Sequence, residues 1–283
     1  MYLTQGLRRA AQTTPERVAT ISQSGSQTYS QLRDRVARLA GGLRSLGVDP
    51  GDRVAILSMN SQRYTEYLFA VPWAGAVLNP VNTRWAPKEV AYSLSDSESS
   101  VLIVDDAFVP LVDEIRGQYD GLQNVIYAGD ERCPEGLVSY ETLTASSPPI
   151  DDALRSGDDL AGIFYTGGTT GFPKGVMLSH SNIVTSGLGM LAEGISIRRD
   201  GVLLHAAPMF HAADFAVWVQ QTILGGTHVT VPKFDPISVF QAVERWGVTD
   251  LVLVPTMIQI LVDHPILVST ICRHSRCCAT GGR

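Results

Sequence analysis

The 283 residues are 45% hydrophobic and 18% charged, which favours a sizeable core over a disordered chain. The net charge of −6, with no cluster of Lys or Arg, excludes a nucleic-acid surface. A small anionic ligand stays open, because local donors decide its binding. The N-terminus has no apolar core of a signal peptide. The most apolar stretch, Tyr67 to Leu78, is broken by Pro72 and Gly75 and is too short to cross a bilayer. The expectation is a cytoplasmic, enzyme-like protein without a transmembrane segment. The four cysteines (Cys133, Cys272, Cys277 and Cys278) show no ligand spacing, so no metal site is predicted.

Helix and strand patterns alternate along the chain. Thr28 or Ser30 can cap a helix whose Leu32, Val36, Leu39 and Leu43 share one face, with Gly47 just past its end. Asp49-Pro50-Gly51 is a turn, and Arg53 to Leu57 a buried strand. A helix over Gln62 to Trp73 follows, then a strand over Gly75 to Leu78, a helix over Pro87 to Leu94 and a strand over Val101 to Val104. Next come a helix over Val109 to Ile115 and a strand over Val125 to Tyr127. Ala145 to Asp159 is polar and proline-bearing, and reads as a connecting loop. The pattern resumes with strands over Leu160 to Tyr165 and Gly175 to Leu178 and a helix over Ser181 to Leu191. It ends with a strand over Val202 to His205, a helix over Ala213 to Leu224, a strand over Thr227 to Val231, a helix over Pro236 to Trp246 and a strand over Asp250 to Val254. Continuous apolar strands separated by helices predict an α/β fold with mostly parallel sheets covered on both faces.

One loop concentrates the chemistry: Tyr165-Thr166-Gly167-Gly168-Thr169-Thr170-Gly171-Phe172-Pro173-Lys174-Gly175-Val176. The glycines allow positive φ and leave room for backbone N–H groups to converge into an anion-binding nest. Thr166, Thr169 and Thr170 add hydroxyls, and Lys174 adds a positive charge. The set suits a polyphosphate. A Walker A loop would need Gly-Lys-Ser/Thr opening a helix. Here Lys174 follows Pro173 and precedes a strand, so a β-hairpin over a phosphate is predicted, with a ligand-free surface hairpin as the plainer alternative.

This stretch resembles the signature of the adenylate-forming enzymes, the acyl-CoA synthetases, luciferases and peptide-synthetase adenylation domains. Their pattern is close to Y-T-S-G-T-T-G-x-P-K-G-V, from which Gly167 departs at the usual serine. The segments LNPVNTRWAPKEVAYSLSDSESSVLIVD, HAAPMFHAADF and VTDLVLVPTMIQILVDHP are also similar to family segments. The resemblance implies a two-step reaction: a carboxylate attacks Mg·ATP to give acyl-adenylate and pyrophosphate, and coenzyme A then takes the acyl group. It implies that Thr166, Gly167, Gly168, Thr169, Thr170, Gly171 and Lys174 bind the ATP phosphates. His211 is implied to face the acyl carboxylate and adenylate, and the small-molecule substrate to be a fatty or aryl acid. The expected fold is the large N-terminal domain of that family, incomplete. His180, His205, His228, His264 and His274 read as ordinary histidines. Gly187 to Ala192 fits G-x-G-x-x-A but lies inside a helical pattern, so it reads as helix packing.

The family's Y-G-x-T-E motif, ribose-binding aspartate, hinge and C-terminal lysine domain find no counterpart, so no complete catalytic set is expected and the chain as given is expected to be inactive. Residues 1–265 read as a partial adenylation domain, and residues 266–283 as an atypical tail. Read two bases later, the tail codons permit Asp-Leu-Ser-Ser-Leu-Ala-Leu-Leu-Arg-Tyr-Gly-Gly-Ala, which resembles a family segment. A frameshift near Ile266 is the expectation, and a divergent tail with a chance match the alternative. The rival to a synthetase is a non-enzymatic pseudogene product or a phosphate-binding remnant.

Overall fold

The computed structural model describes residues 1–167, 173–194 and 197–265. The tail and the middle of the glycine–threonine loop (Gly168, Thr169, Thr170, Gly171 and Phe172) lie outside them. The elements in chain order are α1 (Gln5–Thr13), β1 (Val18–Ser22), β2 (Gly25–Thr28), α2 (Tyr29–Ser45), β3 (Arg53–Leu57), α3 (Gln62–Trp73), β4 (Val77–Pro80) and α4 (Pro87–Asp96). Then come β5 (Ser99–Val104), α5 (Val112–Arg116), β6 (Asn124–Tyr127), β7 (Val138–Ser139), α6 (Tyr140–Ser146), β8 (Leu160–Thr166), β9 (Lys174–Ser179) and α7 (His180–Ala192). Last are β10 (Val202–His205), α8 (Ala212–Leu224), β11 (Thr227–Thr230), α9 (Pro236–Trp246), β12 (Asp250–Leu251) and α10 (Pro255–Asp263).

Local chemistry accounts for these elements. Thr28 and Gln31 cap α2 reciprocally: the Gln31 N–H donates to Thr28 Oγ1 (3.3 Å) and the Thr28 N–H to Gln31 Oε1 (2.8 Å). The predicted stripe of Leu32, Val36, Leu39 and Leu43 is fully buried. Several boundaries differ from the sequence reading. Helix α3 runs through Pro72 to Trp73 as expected and is closed by Gly75 at φ +82°, so β4 starts at Val77 and not at Gly75. Ala145 and Ser146 are not loop but the end of α6, capped by Ser139, whose Oγ accepts from the Thr142 N–H. Strand β12 stops at Leu251, because the chain turns toward Pro255, the first residue of α10. Near the N-terminus, α1, β1 and β2 were not foreseen: β2 is the short polar segment Gly-Ser-Gln-Thr.

The chain divides into two compact units. The first comprises Met1–Gln5, Arg33–Met59 and Arg63–Val184; the second comprises Gly6–Leu32, Asn60–Gln62 and the chain from Thr185. The first unit holds a seven-stranded sheet in the order β7-β6-β5-β3-β4-β8-β9, parallel except for the antiparallel β8/β9 pair. Its core includes Leu57, Val81, Val90, Leu94, Leu102, Val104, Ile115 and Val125. The buried Glu66 of α3 ties three helices together. Arg35 of α2 donates to both its carboxylate oxygens (2.6 and 3.0 Å), and the Tyr140 hydroxyl of α6 donates to one (2.8 Å).

The second unit holds a five-stranded sheet in the order β12-β10-β11-β1-β2, parallel except for the antiparallel β1/β2 pair. One of its cores joins Leu204, Val229 and Val231 to Val239 and Ala242 of α9. Helix α7 meets α8 closely at Gly187, where a Cβ would lie 2.8 Å from Val219 Cγ1. The G-x-G-x-x-A match is therefore helix packing, as read from the sequence.

Candidate functional site

Strand β8 lies between β4 and β9 and is apolar, with Ala161, Ile163 and Phe164 buried; β9 is the edge strand that folds back on it. Because β8 runs parallel to β4, its last residue, Thr166, reaches the C-terminal edge of the parallel strands. Ligands of α/β sheets collect at that edge. Thr166 stands directly opposite Lys174 in the antiparallel register, and its hydroxyl donates to the Lys174 carbonyl (3.4 Å). Directly opposed residues put their side chains on one face of a hairpin. A hydroxyl and an ammonium therefore flank the two ends of the intervening loop, and both residues are exposed. Gly167 is exposed too, and a Cβ there would meet nothing within 4 Å. The remaining predicted phosphate-binding residues, Gly168, Thr169, Thr170 and Gly171, lie outside the described residues.

Tyr165, the first residue of the motif, supports the hairpin. Its hydroxyl reaches Asp96 Oδ2 (2.7 Å) and the Ser93 carbonyl (3.1 Å) at the C-terminal end of α4. Trp85 packs edge-on against its ring at 6.0 Å. Burial first, and the adjoining Asp96 carboxylate second, push the phenol well above its ordinary pKa, so the hydroxyl keeps its proton and donates.

His211 belongs to the second unit. It is exposed and is the N-cap residue of α8, at the C-terminal edge of that unit's parallel strands, just beyond β10. The chain between β10 and α8 contains no glycine and is held by Asn60. The Asn60 amide donates to the carbonyls of His205 (3.2 Å) and Ala207 (2.8 Å) and accepts from the Met209 N–H (2.9 Å). Beneath the start of α8 lies a buried polar chain. His205 Nδ1 meets Asp214 Oδ2 at 2.7 Å, and His205 Nε2 meets His228 Nδ1 at 3.0 Å. His228 Nε2 and the Thr222 hydroxyl close it at 3.5 Å.

Sequence reasoning passed over Asn60, Asp214 and Tyr165's anchoring role, and set His205 and His228 aside as ordinary. Asp214 had a signal: it is the one polar residue in the first eight of its helix, Ala-Ala-Asp-Phe-Ala-Val-Trp-Val. Among the described residues no group of three or more His, Cys, Asp or Glu could hold a metal ion. No helix among them is long and apolar enough to cross a membrane.

The model of the AMP-binding enzyme family matches residues 7–283. A long-chain-fatty-acid–CoA ligase of Thermus thermophilus is 40% identical over 240 residues, covering 84% of this chain and 44% of the relative. A feruloyl-CoA synthase of Amycolatopsis is 38% identical over 258 residues, covering 91% of this chain and 49% of the relative. Among solved structures, the N-terminal domain of FACL13 from Mycobacterium tuberculosis superposes with a TM-score of 0.87 at 30% identity, covering 98% of this chain and 68% of that one. The chain spans about half the length of the curated relatives it matches.

Proposed function

This chain belongs to the AMP-binding enzyme family, and from that membership we propose that it carries the phosphate-gripping and acyl-facing portion of an ATP-dependent acid–thiol ligase of the acyl-CoA synthetase kind. The observation that carries the reading is the register that sets Thr166 opposite Lys174 at the C-terminal edge of the first unit's sheet. Magnesium is read as the ion that arrives on the nucleotide.

In the proposed reaction a carboxylate oxygen of a fatty or aryl acid attacks the α-phosphorus of ATP. The bond to the bridging oxygen breaks, and its electron pair leaves on pyrophosphate. Negative charge therefore grows on the departing group. Donors fixed in advance around it lower the barrier more than donors that must be recruited from water. The Thr166 hydroxyl, the amides of Gly167, Gly168, Thr169, Thr170 and Gly171, and the Lys174 ammonium are assigned to that group. Lys174 acts as a point charge. His211 is assigned to the acyl carboxylate and the adenylate. In the second step the sulfur of coenzyme A attacks the acyl carbon and AMP leaves.

A cytoplasmic location belongs to the same proposal. So does the absence of a complete catalytic set from these 283 residues: the purified chain should give no ATP–pyrophosphate exchange, and measurable exchange would overturn that part. The frameshifted tail is carried as part of this reading, and is tested by sequencing the gene across codons 260–283 for the alternative frame. The acyl-facing role of His211 has its own test. Diethyl pyrocarbonate modification of this exposed histidine, read by peptide mass spectrometry, should slow when Mg·ATP and a fatty or aryl acid are added together. An unchanged rate contradicts the assignment.

A further inference from the structure

With both histidines neutral and the Asp214 carboxylate accepting, one proton arrangement satisfies the buried polar chain under α8. The Thr222 hydroxyl donates weakly to His228 Nε2, His228 Nδ1–H donates to His205 Nε2, and His205 Nδ1–H donates to Asp214 Oδ2. Burial, with His205 beside it, drives the His228 pKa far below its ordinary value, which agrees with a neutral ring. The two imidazole centroids lie 5.3 Å apart with 13° between their planes, as an edge-to-edge N–H···N bond requires. Asp214 lies in the first turn of α8, where the helix dipole favours an anion. Its other oxygen, Oδ1, has no hydrogen-bond partner among the described residues.

For stability alone this is a poor use of the interior. His205 is 0% exposed, and Asp214 and His228 are each 1% exposed. Burying polar groups costs free energy that their hydrogen bonds only offset, whereas apolar side chains carry no such cost. What the pair does accomplish is geometric. His205 ends β10, Asp214 lies one turn into α8, and the loop between them ends at His211. The Nδ1–Oδ2 bond ties the two ends of that loop together, and Asn60 grips its backbone at His205, Ala207 and Met209. Within the loop the His211 N–H donates to the Pro208 carbonyl (3.0 Å), and the Phe215 N–H donates to the His211 carbonyl (3.0 Å).

We propose that Asp214 and His205 are positioning residues for His211: their buried bond, together with the Asn60 clamp, fixes the loop and helix start that present the exposed imidazole. Its relevance to catalysis rests on the acyl-facing role of His211 proposed above; the positioning itself does not.

Amide hydrogen exchange on the 283-residue chain tests it. In Asp214→Ala the Met209 and His211 amides should exchange about tenfold faster or more, while Leu204 in β10 and Val229 in β11 keep their protection. Asp214→Asn, which still accepts from His205, should restore wild-type exchange at both loop amides. Equal acceleration at all four amides, or none at the loop with the fold retained, overturns the proposal. If Asp214→Ala does not fold, the wild-type chain decides. Under increasing sub-denaturing urea, the His205 ring N–H and the Met209 and His211 amides should follow one opening free energy, and separate openings refute the coupling. Local acceleration in the variant without ligand protection of His211 from diethyl pyrocarbonate would leave the positioning intact and remove only its acyl-site meaning.

Discussion

Truncating Glu66 should cost the first unit about 3 kcal/mol, the lower end of the range for removing one partner of a buried ion pair. The carboxylate is fully buried and accepts two hydrogen bonds from Arg35 and one from Tyr140. Glu66→Ala removes both acceptor oxygens. The Tyr140 hydroxyl, in a fully buried residue, is left with only a long contact to the Arg63 carbonyl (3.4 Å). A buried donor that loses its acceptor accounts for roughly 1–3 kcal/mol of the loss. Arg35 suffers less, because Glu141 still pairs with it at 3.0 and 3.1 Å, so the loss stays at the low end of that range. Glu66→Gln keeps the shape and an acceptor for Tyr140, so it should lose roughly half as much. Urea unfolding at pH 7, followed by far-UV circular dichroism, measures both variants against the wild type. A loss under about 1 kcal/mol for Glu66→Ala, in the range of an ordinary exposed pair, would refute the reasoning. So would a Gln variant as damaged as the Ala variant.

Other outcomes follow from the same structure. Tyr165→Phe loses the bonds to Asp96 and the Ser93 carbonyl, and should cost about 1 kcal/mol of stability. Its effect on phosphate affinity should be larger than on the melting temperature, and an unchanged dissociation constant for pyrophosphate would remove its anchoring role. His180 is buried at the start of α7, its Nδ1 accepts from the Leu3 N–H (3.2 Å), and burial lowers its pKa from 6.5 to about 4. The folded state therefore binds fewer protons than the unfolded state between those values. Its contribution is complete above about pH 6.5 and should fade by roughly 3 kcal/mol as pH falls toward 4. Unfolding titrations across that window should show the loss in the wild type and a flatter profile in His180→Phe; parallel profiles would contradict the assignment.

Much of the fold was legible because its signals are local. The stripe from Leu32 to Leu43, the strand over Arg53–Leu57 and the helix over Pro236–Trp246 sit where periodicity and capping residues put them. Elements whose stability comes from distant partners were not legible. Strand β2 is polar and forms by pairing with β1, whose other neighbour, β11, is about two hundred residues away in the chain. The hairpin was predicted from Pro173 and the strand after Lys174, and β8/β9 pair antiparallel as expected. The network of Asp214, His205 and His228 was hidden because its members are spread over twenty-three residues and meet only when α8 packs on β10 and β11. A histidine in a strand gives no sign, in sequence, of what lies across from it.

The central claim is that the hairpin from Thr166 to Lys174 grips a polyphosphate. Calorimetric titration of the 283-residue chain with pyrophosphate and with Mg·ATP, repeated on Lys174→Ala, tests it most directly. The account predicts saturable binding of both ligands to the wild type and at least about tenfold weaker binding to the variant, the loss of one well-placed charge contact. Absence of binding by the folded wild type, or equal affinity in the variant, would contradict it.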